Sequence, residues 1–403
     1  MSPPLLLFQN SPRVKRYFAG IAEALPHRRV VVVRVGARLS WSDPDPGLIE
    51  EIIDYGIRRK EARPHYGSRR LGFCRRLYAL AARLHLSHVR RTIRRVRPGA
   101  VGVWGGNAVD ARAVVVGARM EGVPCFQFEN GFLPDTTQMD LEGVNVEGSV
   151  PDEPEFYRRY RSSPDPERPL PEGLLARDSR YPKTCSDRIS LPDRFVFAPF
   201  QVALDSQVLL HSPWIQDMRG FFQVVVEALE RWGDVGLHVV FKEHPSCPWR
   251  YPDLHRKAAE RSRVHFANGN STEELIRGSR GTVTLNSTAG VEALLMDRPV
   301  LALGRAVYGI SGVASTAESS RQVGRWVASV AAEAPPPSPL RESYLRYLME
   351  EYLLPGRHQA PGPEHYAAIE ARLLALESAR SPDRERVGTV PDPGGGSHRA
   401  PSS

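Results

Sequence analysis

The chain has 403 residues, 41% hydrophobic and 25% charged, with a formal net charge of +8. That length corresponds to two or three domains, and the composition excludes a wholly disordered or fibrous chain. The longest apolar runs, such as residues 30–33, fall far short of the ~20 residues a spanning helix needs, which excludes a polytopic membrane protein.

Met1–Phe8 has no basic segment and no adequate apolar core, so no secretory signal is expected. Cys74, Cys125, Cys185 and Cys247 lie far apart, without paired spacing, and predict neither a zinc site nor a disulfide framework. A reduced, cytoplasmic protein is the simplest expectation. Of 54 basic residues only five are lysines: Lys15, Lys60, Lys183, Lys242 and Lys257. A positive surface favours anionic partners such as nucleotides, nucleic acid or acidic lipid head groups.

In chain order, Leu5–Phe8 reads as a short buried strand. Pro12–Leu25 has helical spacing, with Val14, Phe18, Ile21 and Leu25 on one face and Pro12 in the first turn. Arg29–Val35 reads as a second strand. Ser68–Arg97 reads as a long amphipathic helix with Phe73, Leu77, Leu80, Leu84 and Ile93 on its apolar face and ten arginines elsewhere. It suits either packing on a sheet with a solvated basic face or docking on anionic membrane lipid. Nucleic acid is disfavoured, because no aromatic stacking platform accompanies the charge. Strands over Ala100–Trp104 and Val123–Phe128 flank a helix over Ala108–Met120. This rhythm implies a parallel sheet with helices on both faces, occupying residues 1–160.

Arg161–Arg194, rich in Pro, Ser and charge, reads as a linker. A second α/β unit, 195–334, follows. Its strands are predicted over Phe195–Pro199, Leu237–Phe241, Thr282–Asn286 and Pro299–Gly304. Its helices are predicted over Trp214–Trp232 and Ala289–Met296. Closing helices are expected within 335–380, over Leu340–Leu353 and Glu364–Ala379. The Pro/Gly/Ser-rich tail, 381–403, is expected to be disordered. Open α/β sheets bind ligands at the carboxyl ends of their strands, which directs attention to the loops after Phe128, Pro199, Phe241 and Asn286.

Each of these loops carries unusual polar residues. Glu129-Asn130-Gly131 places a carboxylate at a strand end, either as a general base or as a cap, with Gly131 permitting a sharp turn. Gln201 precedes Asp205-Ser206, where Asp205 is either a helix N-cap or a functional carboxylate. Lys242-Glu243-His244-Pro245 brings a cation and an imidazole to one edge, suited to a phosphate or carboxylate unless Lys242 and Glu243 form a surface pair. Asn286-Ser287-Thr288-Ala289-Gly290 runs into a helix holding Glu292. The free N–H groups and hydroxyls there make either a phosphate cradle or a plain cap. Asp43-Pro44-Asp45 sits in a Pro-rich stretch and reads as a loop.

Taken in order, these motifs resemble the bacterial capsule-polysaccharide synthesis family, which includes retaining β-Kdo transferases. The resemblance runs from about Leu5 to Gly312. It rests on Glu129-x-Gly131 with Gly143-Val144-Asn145; on Gln201 with Asp205-Ser206; on Lys242-x-His244-Pro245; and on Asn286 to Gly290 with Glu292, Pro299, Gly304 and Tyr308. Where family members often carry an aromatic-arginine pattern after E-x-G, this chain has Phe132 followed by Leu133-Pro134-Asp135-Thr136-Thr137.

The resemblance implies a GT-B-like α/β fold, with the site in a cleft between two Rossmann-like domains. The first domain would take a lipid- or glycan-linked acceptor and the second a nucleotide sugar, CMP-β-Kdo, without a divalent metal or other cofactor. It implies that Asp205 attacks the anomeric carbon, that Glu129 is the base for the acceptor hydroxyl, and that His244 lies near the donor phosphate. Gln201, Ser206, Lys242, Asn286, Ser287 and Thr288 would line the donor, and Glu292 would reach the ribose. Lys242 or His244 is expected to keep Asp205 ionised. Two other functions fit the same fold: a sugar-nucleotide epimerase and a non-catalytic capsule export or assembly partner.

Overall fold

A computed structural model describes residues 2–38, 44–63, 66–163, 169–174, 180–184, 186–332 and 338–380. Asp43, Cys185 and the tail from Ser381 lie outside the described residues. Cys74, Cys125 and Cys247 are free thiols.

The first unit begins with β1 (Leu5–Gln9), α1 (Pro12–Ala24) and β2 (Val30–Arg34). Ser11 caps α1, its hydroxyl accepting from the Val14 N–H, and Pro12 fits the first turn because its missing N–H would have no helical partner there. Next come α2 (Pro46–Glu61) and α3 (Ser68–Val96). The sequence reading missed α2, although Asp45 signals its start: the carboxylate accepts from the Gly47 N–H at 2.7 Å. The unit continues with β3 (Ala100–Trp104), α4 (Val109–Met120), β4 (Cys125–Asn130), β5 (Thr136–Asp140) and α5 (Pro154–Arg159).

The second unit holds β6 (Phe195–Pro199), α6 (Ser206–His211), α7 (Met218–Trp232), β7 (His238–Lys242), α8 (Pro252–Ala259) and β8 (Val264–Phe266). It goes on through α9 (Thr272–Gly278), β9 (Gly281–Thr284), α10 (Ala289–Leu295), β10 (Val300–Ala302), β11 (Ser315–Thr316), α11 (Ser320–Ala332) and α12 (Arg341–Tyr347). The chain closes with β12 (Leu354–Pro355) and α13 (Pro363–Ala379). The helix expected from Trp214 starts only at Met218, because Asp217 caps it by accepting from the Gly220 N–H at 2.7 Å.

The strands form two six-stranded sheets, ordered β12-β5-β4-β3-β1-β2 and β11-β10-β9-β6-β7-β8. The second is parallel throughout. The first departs from the expected all-parallel sheet. β5 folds back antiparallel on β4, with Glu129 opposite Gln138, and β12 adds antiparallel to β5. The fold is α/β with two doubly wound units. Apolar clusters fill both faces of each sheet, as parallel strands buried on two sides require.

The closing helices divide between the units. Tyr344, Leu345 and Leu348 pack in the second unit's core, whereas Leu354, Ile369 and Leu373 join the first unit's. Tyr17 Oη and His365 Nε2 lie 2.8 Å apart, and Arg28 pairs with Glu377, fastening α13 across α1.

The apolar face expected for the long helix is also revised. α3 buries Ala82, Leu86, Val89 and Ile93, while Phe73, Leu77 and Leu80 are 63%, 48% and 52% exposed. The two sets occupy different faces, because at 3.6 residues per turn the stripe 73, 77, 80 is rotated away from 82, 86, 89. Among the described residues, no helix is long and apolar enough to cross a membrane.

Candidate active site between the two sheets

Glu129 leaves the carboxyl end of β4, and the next turn of the chain is fixed by packing. A Cβ on Gly131 would lie 1.9 Å from Thr136 Oγ1, so glycine is required by close approach rather than by an unusual φ. The Gly131 N–H donates to the Thr136 carbonyl at 2.9 Å, closing the hairpin. Gln138 ties two parts of the sequence motif together: its Nε2 donates to the Asn130 carbonyl at 2.5 Å, and its Oε1 accepts from the Asn145 N–H at 2.8 Å. Phe132 and Leu133 turn into the second unit's core, where Phe132 stacks on Tyr352.

Burial pushes the Glu129 carboxyl up to about 7, and the Asp205 charge adds to this. The Asn130 N–H and Nδ2, at 2.9 and 2.7 Å from Oε1, oppose it, as does the Arg13 charge. Such a group exchanges protons near neutrality, as a general base must.

Asp205 follows β6 and caps α6, its Oδ1 accepting from the Gln207 N–H at 2.9 Å. Burial raises its pKa, while the bonds from Gln207 and Ser206 and the Arg59 charge pull it down. The cation that favours ionised Asp205 is Arg59 of α2, where Lys242 or His244 was expected. From the same helix the Tyr55 hydroxyl donates to the Leu204 carbonyl at 2.8 Å, and Arg58 Nη1 to the Leu209 carbonyl at 3.4 Å. α2 thus spans the cleft and braces the Asp205 loop.

Gln201 and Asn286, expected to bind donor, are engaged with each other. Gln201 Nε2 donates to Asn286 Oδ1 at 3.0 Å, and the Asn286 N–H donates to Gln201 Oε1 at 3.1 Å. Asn286 Nδ2 then donates to the Gln207 carbonyl at 2.8 Å. Both side chains are buried, and together they link the ends of β6 and β9 beneath α6. Buried amides need such partners, which makes them supports of the Asp205 loop.

Ser287 Oγ accepts from the Ala289 N–H at 3.2 Å, and Thr288 begins α10 without a side-chain cap bond. Gly290 is demanded by Tyr308, whose ring carbon would lie 2.2 Å from a Cβ there. The Tyr308 hydroxyl donates to the Ser287 carbonyl at 2.8 Å. Glu292 is buried on the same short helix and influences Tyr308 electrostatically.

Lys242 Nζ donates to the Asn268 and Asn270 carbonyls at 2.7 and 2.6 Å, and burial lowers its pKa to about 8. It organises the 268–270 loop, a role the sequence did not suggest. No surface Lys242–Glu243 pair forms, since Glu243 is buried and bonded to His255 at 2.8 Å. His244 Nδ1 accepts from the Ser246 N–H at 3.0 Å, which puts the ring proton of neutral His244 on Nε2.

The structure therefore brings Glu129 and Asp205 into one electrostatic neighbourhood, on facing units. Sequence reasoning missed Arg13, Tyr55 and Arg59. Arg13 follows the carboxyl end of β1, a strand end of the kind already used to find the other loops. Tyr55 and Arg59 had no local signal, because α2 meets Asp205 only through the tertiary fold. His211 on α6, 3.8 Å from Glu147, was missed for the same reason.

Residues 175–358 match the family model described as "Capsule polysaccharide biosynthesis protein". Protein FixF of Sinorhizobium fredii is 39% identical over 247 residues, 61% of this chain and 57% of that protein. The capsule polysaccharide export protein KpsS of Escherichia coli is 26% identical over 253 residues, 49% of this chain and 64% of that protein. The chain thus matches less than two thirds of the length of either relative. Among solved structures, the β-Kdo 2,7 transferase of Thermosulfurimonas dismutans KpsC superposes with a TM-score of 0.46 at 13% identity, covering 94% of this chain and 100% of that one. Residues 175–358, less than half of the chain, are thus similar to the capsule polysaccharide biosynthesis family.

Proposed function

We propose that the protein is a retaining glycosyltransferase of capsular polysaccharide synthesis, transferring Kdo or a related ulosonic acid from its CMP-activated form to a lipid- or glycan-linked acceptor on the cytoplasmic side. Asp205 attacks the anomeric carbon as the bond to the CMP phosphate breaks. This gives a glycosyl ester on Asp205 and free CMP. The acceptor oxygen then displaces the ester, restoring the carboxylate, while Glu129 takes the acceptor proton. Ser287, Thr288 and His244 Nε2–H stabilise the departing phosphate, and no metal is required in this scheme.

The observation that supports this reading best is the pair of carboxylates at one cleft, Glu129 near the end of β4 and Asp205 at the start of α6, with the Asp205 charge acting on Glu129. Burial pushes Glu129 up to about 7 and raises Asp205 as well, a rise that Gln207, Ser206 and Arg59 oppose. The assignment of Lys242, Gln201 and Asn286 changes accordingly: they hold the loops that present the reacting groups.

The test is mass spectrometry of peptides after brief incubation with CMP-Kdo. Glu129→Gln should release one equivalent of CMP and retain sugar mass on the Asp205 peptide. Asp205→Ala should show no adduct and no transfer, yet still bind CMP. Full turnover by Asp205→Ala would refute the mechanism, and acceptor-independent conversion of a UDP-sugar would point instead to an epimerase.

A further inference from the structure

Three exposed large apolar side chains fall together on one helix. Phe73, Leu77 and Leu80 recur at helical spacing on the first half of α3, and all three face solvent. Scattered exposed hydrophobics are ordinary, but an ordered stripe rimmed by polar groups marks an interaction site. Here the rim is basic. Arg69, Arg70 and Arg76 are exposed beside the stripe, and Arg91 and Arg95 continue the same face toward the helix C-terminus. The 29 residues of α3 contain nine arginines and no Asp or Glu.

We infer that this face of α3 docks on an anionic lipid bilayer, with Phe73, Leu77 and Leu80 entering the head-group boundary and the arginines binding lipid phosphates. Charge complementarity selects this occupant. A second copy of the same face would oppose arginines to arginines, and α3 itself carries no acid. A nucleic acid would find a single aromatic ring and no platform. An interfacial helix, by contrast, combines an apolar face with arginine on its flanks, and each arginine near an anionic surface adds to binding.

On the side of α3 away from the stripe, the helix packs on α2, which reaches the cleft. Tyr78, next to Leu77, packs against α2 at Gly56, where a Cβ would approach its ring to 3.0 Å. The neighbouring Tyr55 reaches across to the Leu204 carbonyl, adjoining Asp205. The docking itself does not rest on the identity of the donor.

The experiment is flotation of the full chain with vesicles of phosphatidylglycerol and phosphatidylcholine, or of phosphatidylcholine alone. Binding is expected to the anionic vesicles only, and to weaken with salt. Phe73→Ser/Leu77→Ser/Leu80→Ser should reduce partitioning at least about tenfold, as loss of the inserted apolar surface requires. Its melting temperature should stay unchanged, because the substituted side chains are already exposed. Arg69→Gln/Arg70→Gln/Arg76→Gln should remove the preference for anionic lipid. The inference is overturned if the wild-type chain ignores anionic vesicles, or if the triple serine variant binds them equally well. It is also overturned if the wild-type chain is a dimer by light scattering that this variant converts to monomer.

Discussion

Removing the Asn130 side chain should shift the proton affinity of Glu129 in a calculable way. The carboxyl lies at about 7 because burial outweighs the bonds that favour its ionised form. One of those is the 2.7 Å bond from Asn130 Nδ2 to Oε1. Asn130→Ala deletes that donor and leaves the backbone N–H in place. For a partly solvated hydrogen bond to a carboxylate we take ~1 kcal/mol, equivalent to an upward shift of about 0.7 pKa units. The ionised fraction near pH 6.5 then falls about fourfold, and near pH 9 it barely changes. Two measurements check this. Carbon-13 carboxyl titration, assigned with Glu129→Gln, should show the wild-type midpoint near 7 and the variant's above it. Single-turnover transfer should be about fourfold slower at the lower pH and unaffected at the higher. A wild-type midpoint near the ordinary glutamate value, or an equal loss at both pH values, would refute the reasoning.

Arg59→Met removes the cation that favours ionised Asp205, so adduct formation should slow most at low pH and recover as pH rises; a uniform loss would place Arg59 in substrate binding instead. Asn286→Ala takes the acceptor from the buried Gln201 Nε2 and a donor from the Gln207 carbonyl, and should cost ~1–3 kcal/mol, read as a lower melting temperature. Gly290→Ala drives a methyl into the Tyr308 ring and should cost ~1–3 kcal/mol, recovered in part by Tyr308→Leu; no change on melting would mean that the helix shifts freely.

The alternation of buried runs and helical spacing revealed both sheets, because parallel strands buried on two faces leave an unmistakable apolar signature. Ala100–Trp104 and Phe195–Pro199 match the observed strands residue for residue. The β4–β5 hairpin escaped detection because Thr136–Asp140 is polar yet buried, its side chains satisfied by tertiary hydrogen bonds such as Thr137 Oγ1 to the Gly356 carbonyl. For α3, nine arginines and a regular apolar stripe led to the wrong packed face, Ile93 apart. The true one uses Ala82, Leu86, Val89 and Ile93, and Gly117 lets α4 approach it. Among site residues, Glu129 stands near a strand end and Asp205 at a helix start, both places that the sequence marks. The exchange of roles between Lys242 and Arg59 was not, since it depends on which carbonyls and helices surround each cation.

The path of the chain after Tyr352 alters what the second sheet is. Because β12 and α13 return to the first sheet, the first and last described elements share one unit, and Arg380 donates to the Gly99 carbonyl near the start of β3. Everything between the two crossings is, topologically, a cassette inserted into a single host. Glu350 clasps the crossings together, accepting from the Tyr160 hydroxyl at 2.9 Å and from Ser162 Oγ at 2.6 Å. Cleaving one tether would leave the pieces associated, and a fragment ending at the first crossing would lack an edge strand and a covering helix of its own core.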